Sequence, residues 1–139
     1  MKKGKKNVLF ICTHNSARSQ MAEGLLNTLY KEHYTAWSAG TDPSEVNPYA
    51  VKVMAEIGID ISTHRSKSLE QFLQHGFDYV VTVCDQANEV CPFFPGGKER
   101  LHKGFKDPSA IEGTEEEKLA AFRRIRDDIK AWIEENFRI

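Results

Sequence analysis

The chain predicts a three-layer α/β domain built on a four-stranded parallel sheet, and three observations carry that prediction. Apolar runs alternate with segments of helical period in the order β-α-β-α-β-β-α, with one further short helix before the third strand. The run Tyr79–Cys84, YVVTVC, is apolar or β-branched at nearly every position, as a strand buried on both faces must be. The first forty residues read strand–helix–strand, which joins parallel neighbours by a right-handed crossover.

Each element has a local reason. Val8–Cys12 is the first strand. Ala17–Tyr30 is the first helix, because Met21, Leu25 and Leu29 with Ala22 and Leu26 form two adjacent i, i+4 rows. Thr35–Gly40 is a strand closed by glycine. Asn47 and Pro48 suit the cap and first position of a second helix; Val51, Met54, Ala55 and Ile57 form its apolar face and Gly58 ends it. Ile59–Lys67 reads as loop, and Ser68–Gln74 as a short helix ended by Gly76. Asp85–Val90 is polar and reads as a short helix or a loop, and the Pro and Gly residues after Cys91 stop any helix. Arg100–Phe105 is a weaker strand with Leu101, Lys103 and Phe105 alternating, followed by a loop containing Asp107-Pro108. Thr114 and Glu117 form a capping box opening the last helix. Its face is Leu119, Phe122, Ile125, Ile129, Trp132 and Ile133, and Arg123–Asp127, Arg124–Asp128 and Lys130–Glu134 are i, i+4 pairs on its solvated side.

The 139 residues suit a single catalytic domain, 1–139, and 40% hydrophobic with 28% charged residues is an ordinary globular composition. A net charge of −1 gives no electrostatic case for a nucleic-acid partner. The apolar run after the basic start is too short for a signal segment or a membrane span. The expectation is a cytoplasmic monomer with no membrane partner and no cofactor. Three cysteines in such a chain point to chemistry rather than a disulfide scaffold. The five histidines show no metal-ligand spacing.

The organising stretch is Val8–Ser19, VLFICTHNSARS. A buried strand ends in Cys12 and turns directly into a helix. Backbone N–H groups of such a turn, with the helix N-terminus, make a concave anion site and favour the thiolate. Arg18 can fork onto two oxygens of a tetrahedral oxyanion. Cys12 ends strand one, Cys84 ends strand three and Asp107 follows strand four, so the topology brings all three to the carboxyl edge of the sheet.

Together, C-T-x-N-S-x-R-S-Q-M-A-E (Cys12–Glu23), S-A-G (Ser38–Gly40), N-P (Asn47–Pro48), I-D-I-S (Ile59–Ser62), Cys84-x6-Cys91-Pro92 and Asp107-Pro108 resemble the thioredoxin-coupled arsenate reductases. These share the fold of the low-molecular-weight protein tyrosine phosphatases. The resemblance implies arsenate reduction to arsenite, in arsenic detoxification. Cys12 would be the nucleophile, Arg18 and the loop residues Thr13, His14, Asn15, Ser16, Ala17 and Ser19 would hold arsenate or a phosphate-like oxyanion, and Asp107 would be the general acid. Cys84 and then Cys91 would carry the oxidation to thioredoxin. A phosphatase needs only Cys12, Arg18 and Asp107, so Cys84 and Cys91 separate the two chemistries. A tyrosine phosphatase is the alternative, and a redox-sensing module without turnover is a third reading.

The chain also departs from its relatives. Ala17 stands where some members have a further cysteine, and His14 where some have glycine. Some members hold potassium; Asn15, Glu23 and Ser38 match that cation site, but Lys67 stands in place of its aspartate. No metal is therefore expected, and the Lys67 ammonium is expected in the cation's place, near Glu23.

Overall fold

The computed structural model describes residues 4–85 and 94–137. Its four strands are β1 (Lys6–Cys12), β2 (Tyr34–Gly40), β3 (Tyr79–Thr82) and β4 (Glu99–His102). They are all parallel, in the order β2-β1-β3-β4. The helices are α1 (Arg18–Leu29), α2 (Pro48–Ala55) and α3 (Glu115–Phe137), with 3₁₀ turns at Leu69–Phe72 and Pro108–Ala110.

Side-chain alternation along β1 divides the core. Val8, Phe10 and Cys12 pack with α1, α2 and α3, whereas Leu9 and Ile11 pack with Leu69, Phe72, Phe77 and Phe94 on the opposite face. Both faces are dry, which is why β1 reads as a continuous apolar run rather than an alternating one. Deleting a side chain such as Phe10, fully buried here, would cost about 3–5 kcal/mol. Phe137 closes the far end of α3, edge-on to Phe10, Tyr34, Tyr79 and Trp132.

Chain reversal of strand order occurs at β1, whose neighbours are β2 on one side and β3 on the other. A crevice forms at the carboxyl ends of strands at such a point. Register places Ile11 opposite Thr82, so the chain leaves β1 at Cys12 beside the chain leaving β3 toward Cys84.

Local signals hold well at the helix ends. Asn47 caps α2 by accepting from the Tyr49 amide at 2.8 Å. Gly58, at φ +79°, ends it: Gly58 N donates to Ala55 O and Ile59 N to Met54 O, the paired bonds of a left-handed helix stop. The Thr114–Glu117 capping box closes in both directions, at 3.0 and 3.1 Å.

Five expectations are corrected. β3 ends at Thr82 rather than Cys84, and β4 spans Glu99–His102 rather than Arg100–Phe105. Ladder-like bonds continue from Val83 N to Ile11 O and from Phe105 N to Val83 O. The strands nevertheless diverge there, because β1 turns away at Cys12 and Gly104 weakens the edge strand. Ser68–Gln74 forms only a 3₁₀ turn at Leu69–Phe72, capped by Ser68. Ile57 is exposed, since the turn at Gly58 carries it off the apolar face of α2. Arg123 makes its ion pair with Glu56 of the α2 terminus at 2.8 Å, not with Asp127. A carboxylate on the neighbouring helix offers a two-pronged contact, which an i, i+4 partner does not. Arg126, buried beside it, donates to Val53 O and Glu56 as well. Lys130 does pair with Glu134, at 3.4 Å. The reading of Asp85–Val90 beyond Asp85, and Cys91 itself, lie outside the described residues.

Candidate active site

Residues 13–17 connect β1 to α1, and other segments hold that loop by its carbonyl groups. Thr13 O accepts from Asp42 N, His14 O from Ser44 N and the Ser66 hydroxyl, and Ser16 O from Asn47 N. Asn15 O accepts from Gln20 Nε2. Across a trans peptide the N–H points opposite to the preceding C=O. Four carbonyls drawn outward therefore turn the amides of His14, Asn15, Ser16 and Ala17 toward the inside of the curl. Four inward amides at a helix N-terminus form a receptor for an anion. Asn15 takes φ +50°, a left-handed conformation that Asn tolerates better than most residues.

Gly40 allows this closeness. A β-carbon there would lie 2.4 Å from Thr13 O and 2.7 Å from Cys12 O. The end of β2 thus presses backbone to backbone on the loop, which no larger residue permits.

Cys12 is a free thiol, almost fully buried, with Sγ 2.9 Å from Ser19 Oγ. The direction of that bond follows from its neighbours together with the charge on the sulfur. Lys67 N can only donate, and it donates to Asn15 Oδ1 at 2.8 Å. The Asn15 amide nitrogen therefore faces Ser19 Oγ and donates to it at 2.8 Å. Ser19 Oγ accepts from Asn15 and keeps its own proton, and toward a Cys12 thiolate, which can only accept, it donates that proton. A hydroxyl proton on a sulfur stabilises negative charge there.

Arg18 is buried, its NH1 donating to Phe105 O at 3.2 Å, its NH2 3.8 Å from Asp107 Oδ2. Asp107 divides its two oxygens. Oδ1 caps the Pro108–Ala110 turn, accepting from the Ser109 amide at 2.9 Å and hydroxyl at 2.6 Å. Oδ2 faces Arg18 and the cavity. Forming the turn thus leaves Asp107 one carboxylate oxygen for the cavity. The cavity holds about 320 Å³ and is lined by Cys12, His14, Ser16, Ala17, Arg18, Asp42, Ser44, Asp107 and Ser109.

Of the residues the sequence singled out, Cys12, His14, Ser16, Ala17, Arg18 and Asp107 share this cavity. Thr13, Asn15 and Ser19 shape the loop without lining it. Cys84 is fully buried, disulfide-bonded, and packed in the same apolar cluster as Cys12. The loop's outer supports Asp42, Ser44 and Ser66 carry no sequence signal of their own, because they act through distant backbone groups.

Behind the loop, Glu23 accepts from the Ser38 hydroxyl at 2.6 Å. The Lys67 ammonium stands 3.7 Å from the same carboxylate oxygen and donates to Arg65 O at 2.8 Å. The expected lysine cation is thus beside Glu23. His64 Nδ1 lies 3.0 Å from Gln20 Oε1 and 3.7 Å from Glu23.

Comparison with known proteins places this geometry. The family model described as low molecular weight phosphotyrosine protein phosphatase matches residues 7–137. An arsenate reductase of Halalkalibacterium halodurans is 52% identical over 125 residues, covering 90% of each chain. Among solved structures, an arsenate reductase in the phosphate binding state superposes with a TM-score of 0.80 at 33% identity, covering 94% of this chain and 95% of that one. A thioredoxin-dependent arsenate reductase from Corynebacterium glutamicum superposes at 0.63 with 30% identity, over 94% of this chain and 63% of that one.

Proposed function

The chain belongs to the low molecular weight phosphotyrosine protein phosphatase family, and from that membership we propose that it is an arsenate reductase working by a relay of three thiols. The observation that carries the proposal is Cys84, fully buried and leaving β3 beside the point where Cys12 leaves β1. Ester hydrolysis has no use for a second thiol in that position.

The oxyanion is held by the inward amides of residues 14–17 and by Arg18. The Cys12 thiolate attacks arsenic, and Asp107 delivers a proton through Oδ2 so that an arsenic-bound oxygen leaves as water. Cys84, as thiolate, then attacks the Cys12 sulfur. The sulfur–arsenic bond breaks, its electron pair stays on arsenic, arsenite departs, and a Cys12–Cys84 disulfide remains. Cys91, as thiolate, attacks the Cys84 sulfur in turn, which frees the Cys12 thiolate and leaves a Cys84–Cys91 disulfide. An external dithiol reduces that disulfide and completes the cycle. Phosphorus does not accept the electron pair under these conditions, so phosphate binds without turnover.

Thioredoxin is the proposed reductant, supported by the dependence named for the Corynebacterium glutamicum neighbour. The protein acts as a single-domain monomer in the cytoplasm, where thiols are kept reduced. Among the described residues no helix is long and apolar enough to cross a membrane. The test is a coupled assay with arsenate, thioredoxin, thioredoxin reductase and NADPH. Arsenate-dependent NADPH oxidation is expected. Hydrolysis of an aryl phosphate with no such oxidation would instead identify a phosphatase.

A further inference from the structure

The mouth of the cavity carries a pair whose chemistry the relay does not use. His14 Nδ1 is 3.0 Å from the backbone oxygen of Asp42 and 3.4 Å from its carboxylate. Both of those atoms only accept, so Nδ1 carries a hydrogen and Nε2 is the nitrogen left for the cavity. The ring is also fixed through its backbone. Segment 42–44 is joined to residues 13 and 14 by Asp42 N to Thr13 O and Ser44 N to His14 O. His14 and Asp42 both line the cavity, and both are substantially exposed.

Their charges oppose one another with respect to an incoming anion. Asp42 repels a dianion at the mouth. A neutral His14 presents only a lone pair at Nε2, which does the same more weakly. A cation at position 14 would offset the Asp42 charge and offer the anion a donor.

We propose that His14 and Asp42 are the specificity-determining pair of the anion site, setting how strongly it takes a tetrahedral dianion. The proposal rests on reading the cavity as an oxyanion site. The other charged or titratable groups lining it are Cys12, Arg18 and Asp107, and all of them are common to the variants below.

Sulfate is the probe, because it is a tetrahedral dianion and asks nothing of the redox chemistry. Its affinity is read from protection of Cys12 against iodoacetamide at fixed pH and ionic strength. One unit charge about 8 Å from a dianion in water-like surroundings is worth about fivefold in affinity. Asp42→Asn should therefore bind sulfate about fivefold more tightly than wild type, and His14→Lys, which adds a unit of positive charge at the same mouth, should gain about as much. An Asp42→Asn or a His14→Lys affinity equal to wild type overturns the proposal. Failure of arsenate turnover in the coupled assay would strike the reductase reading and leave this result standing.

Discussion

Removing the Ser19 hydroxyl tests the internal logic of the loop. Ser19→Ala deletes a side-chain donor directed at Cys12 Sγ, at 2.9 Å, in a fully buried position in the first turn of α1. It also leaves Asn15 Nδ2 without its acceptor. A hydrogen bond to a charged group contributes about 1.5–3 kcal/mol. At about 1.36 kcal/mol per decade, that is about a 10- to 150-fold loss of thiolate-dependent rate. Two assays report it: kcat/KM for arsenate, and the second-order rate of Cys12 alkylation by iodoacetamide, read on the Cys12 peptide by mass spectrometry. Both should fall together, because both start from the same thiolate. Alkylation of Ser19→Ala at the wild-type rate would refute the direction assigned to the Asn15–Ser19–Cys12 chain.

Three further outcomes follow from the same geometry. Asp107→Asn keeps the Oδ1 cap but loses the proton on the other oxygen, so single-turnover arsenite release should slow by about 10²- to 10⁴-fold, with Cys12 alkylation unchanged. Lys67 already places an ammonium beside Glu23, so turnover at fixed ionic strength should be the same in potassium and sodium salts; a rise specific to potassium contradicts this. Arg123, with Arg126, holds the Glu56 carboxyl below the usual carboxylate range through charge-assisted hydrogen bonds. A depressed folded value stabilises the fold above the usual range, and the effect is lost as pH falls through the folded value. Glu56→Gln should therefore lower Tm at about pH 7, and the gap to wild type should close in melts at about pH 3, below the usual carboxylate range.

The sheet and the centre of the site were legible because their signals are local. Val8–Cys12 has to be buried on both faces, the rows of α1 are periodic, and Asn47, Gly58 and Thr114 each act on backbone groups within a turn. The carboxyl edge then collects Cys12, Cys84 and Asp107 from topology alone. The loop's supports were hidden because each reaches across tens of residues. Ser66 is 52 positions from the His14 carbonyl it binds, and Gly40 matters only because β2 ends against the loop. Arg123 illustrates the same limit. Its spacing within α3 suggested Asp127 on its own helix, whereas packing offered Glu56 across the α2 terminus.

The relay is tested most directly by Cys91→Ser, a change that leaves Cys12, Cys84, Arg18 and Asp107 in place. Reduced Cys91→Ser is mixed with arsenate, arsenite is quantified, and disulfides are mapped by mass spectrometry. A single equivalent of arsenite per enzyme and a trapped Cys12–Cys84 disulfide is the predicted result. Sustained turnover with thioredoxin, thioredoxin reductase and NADPH would contradict the relay.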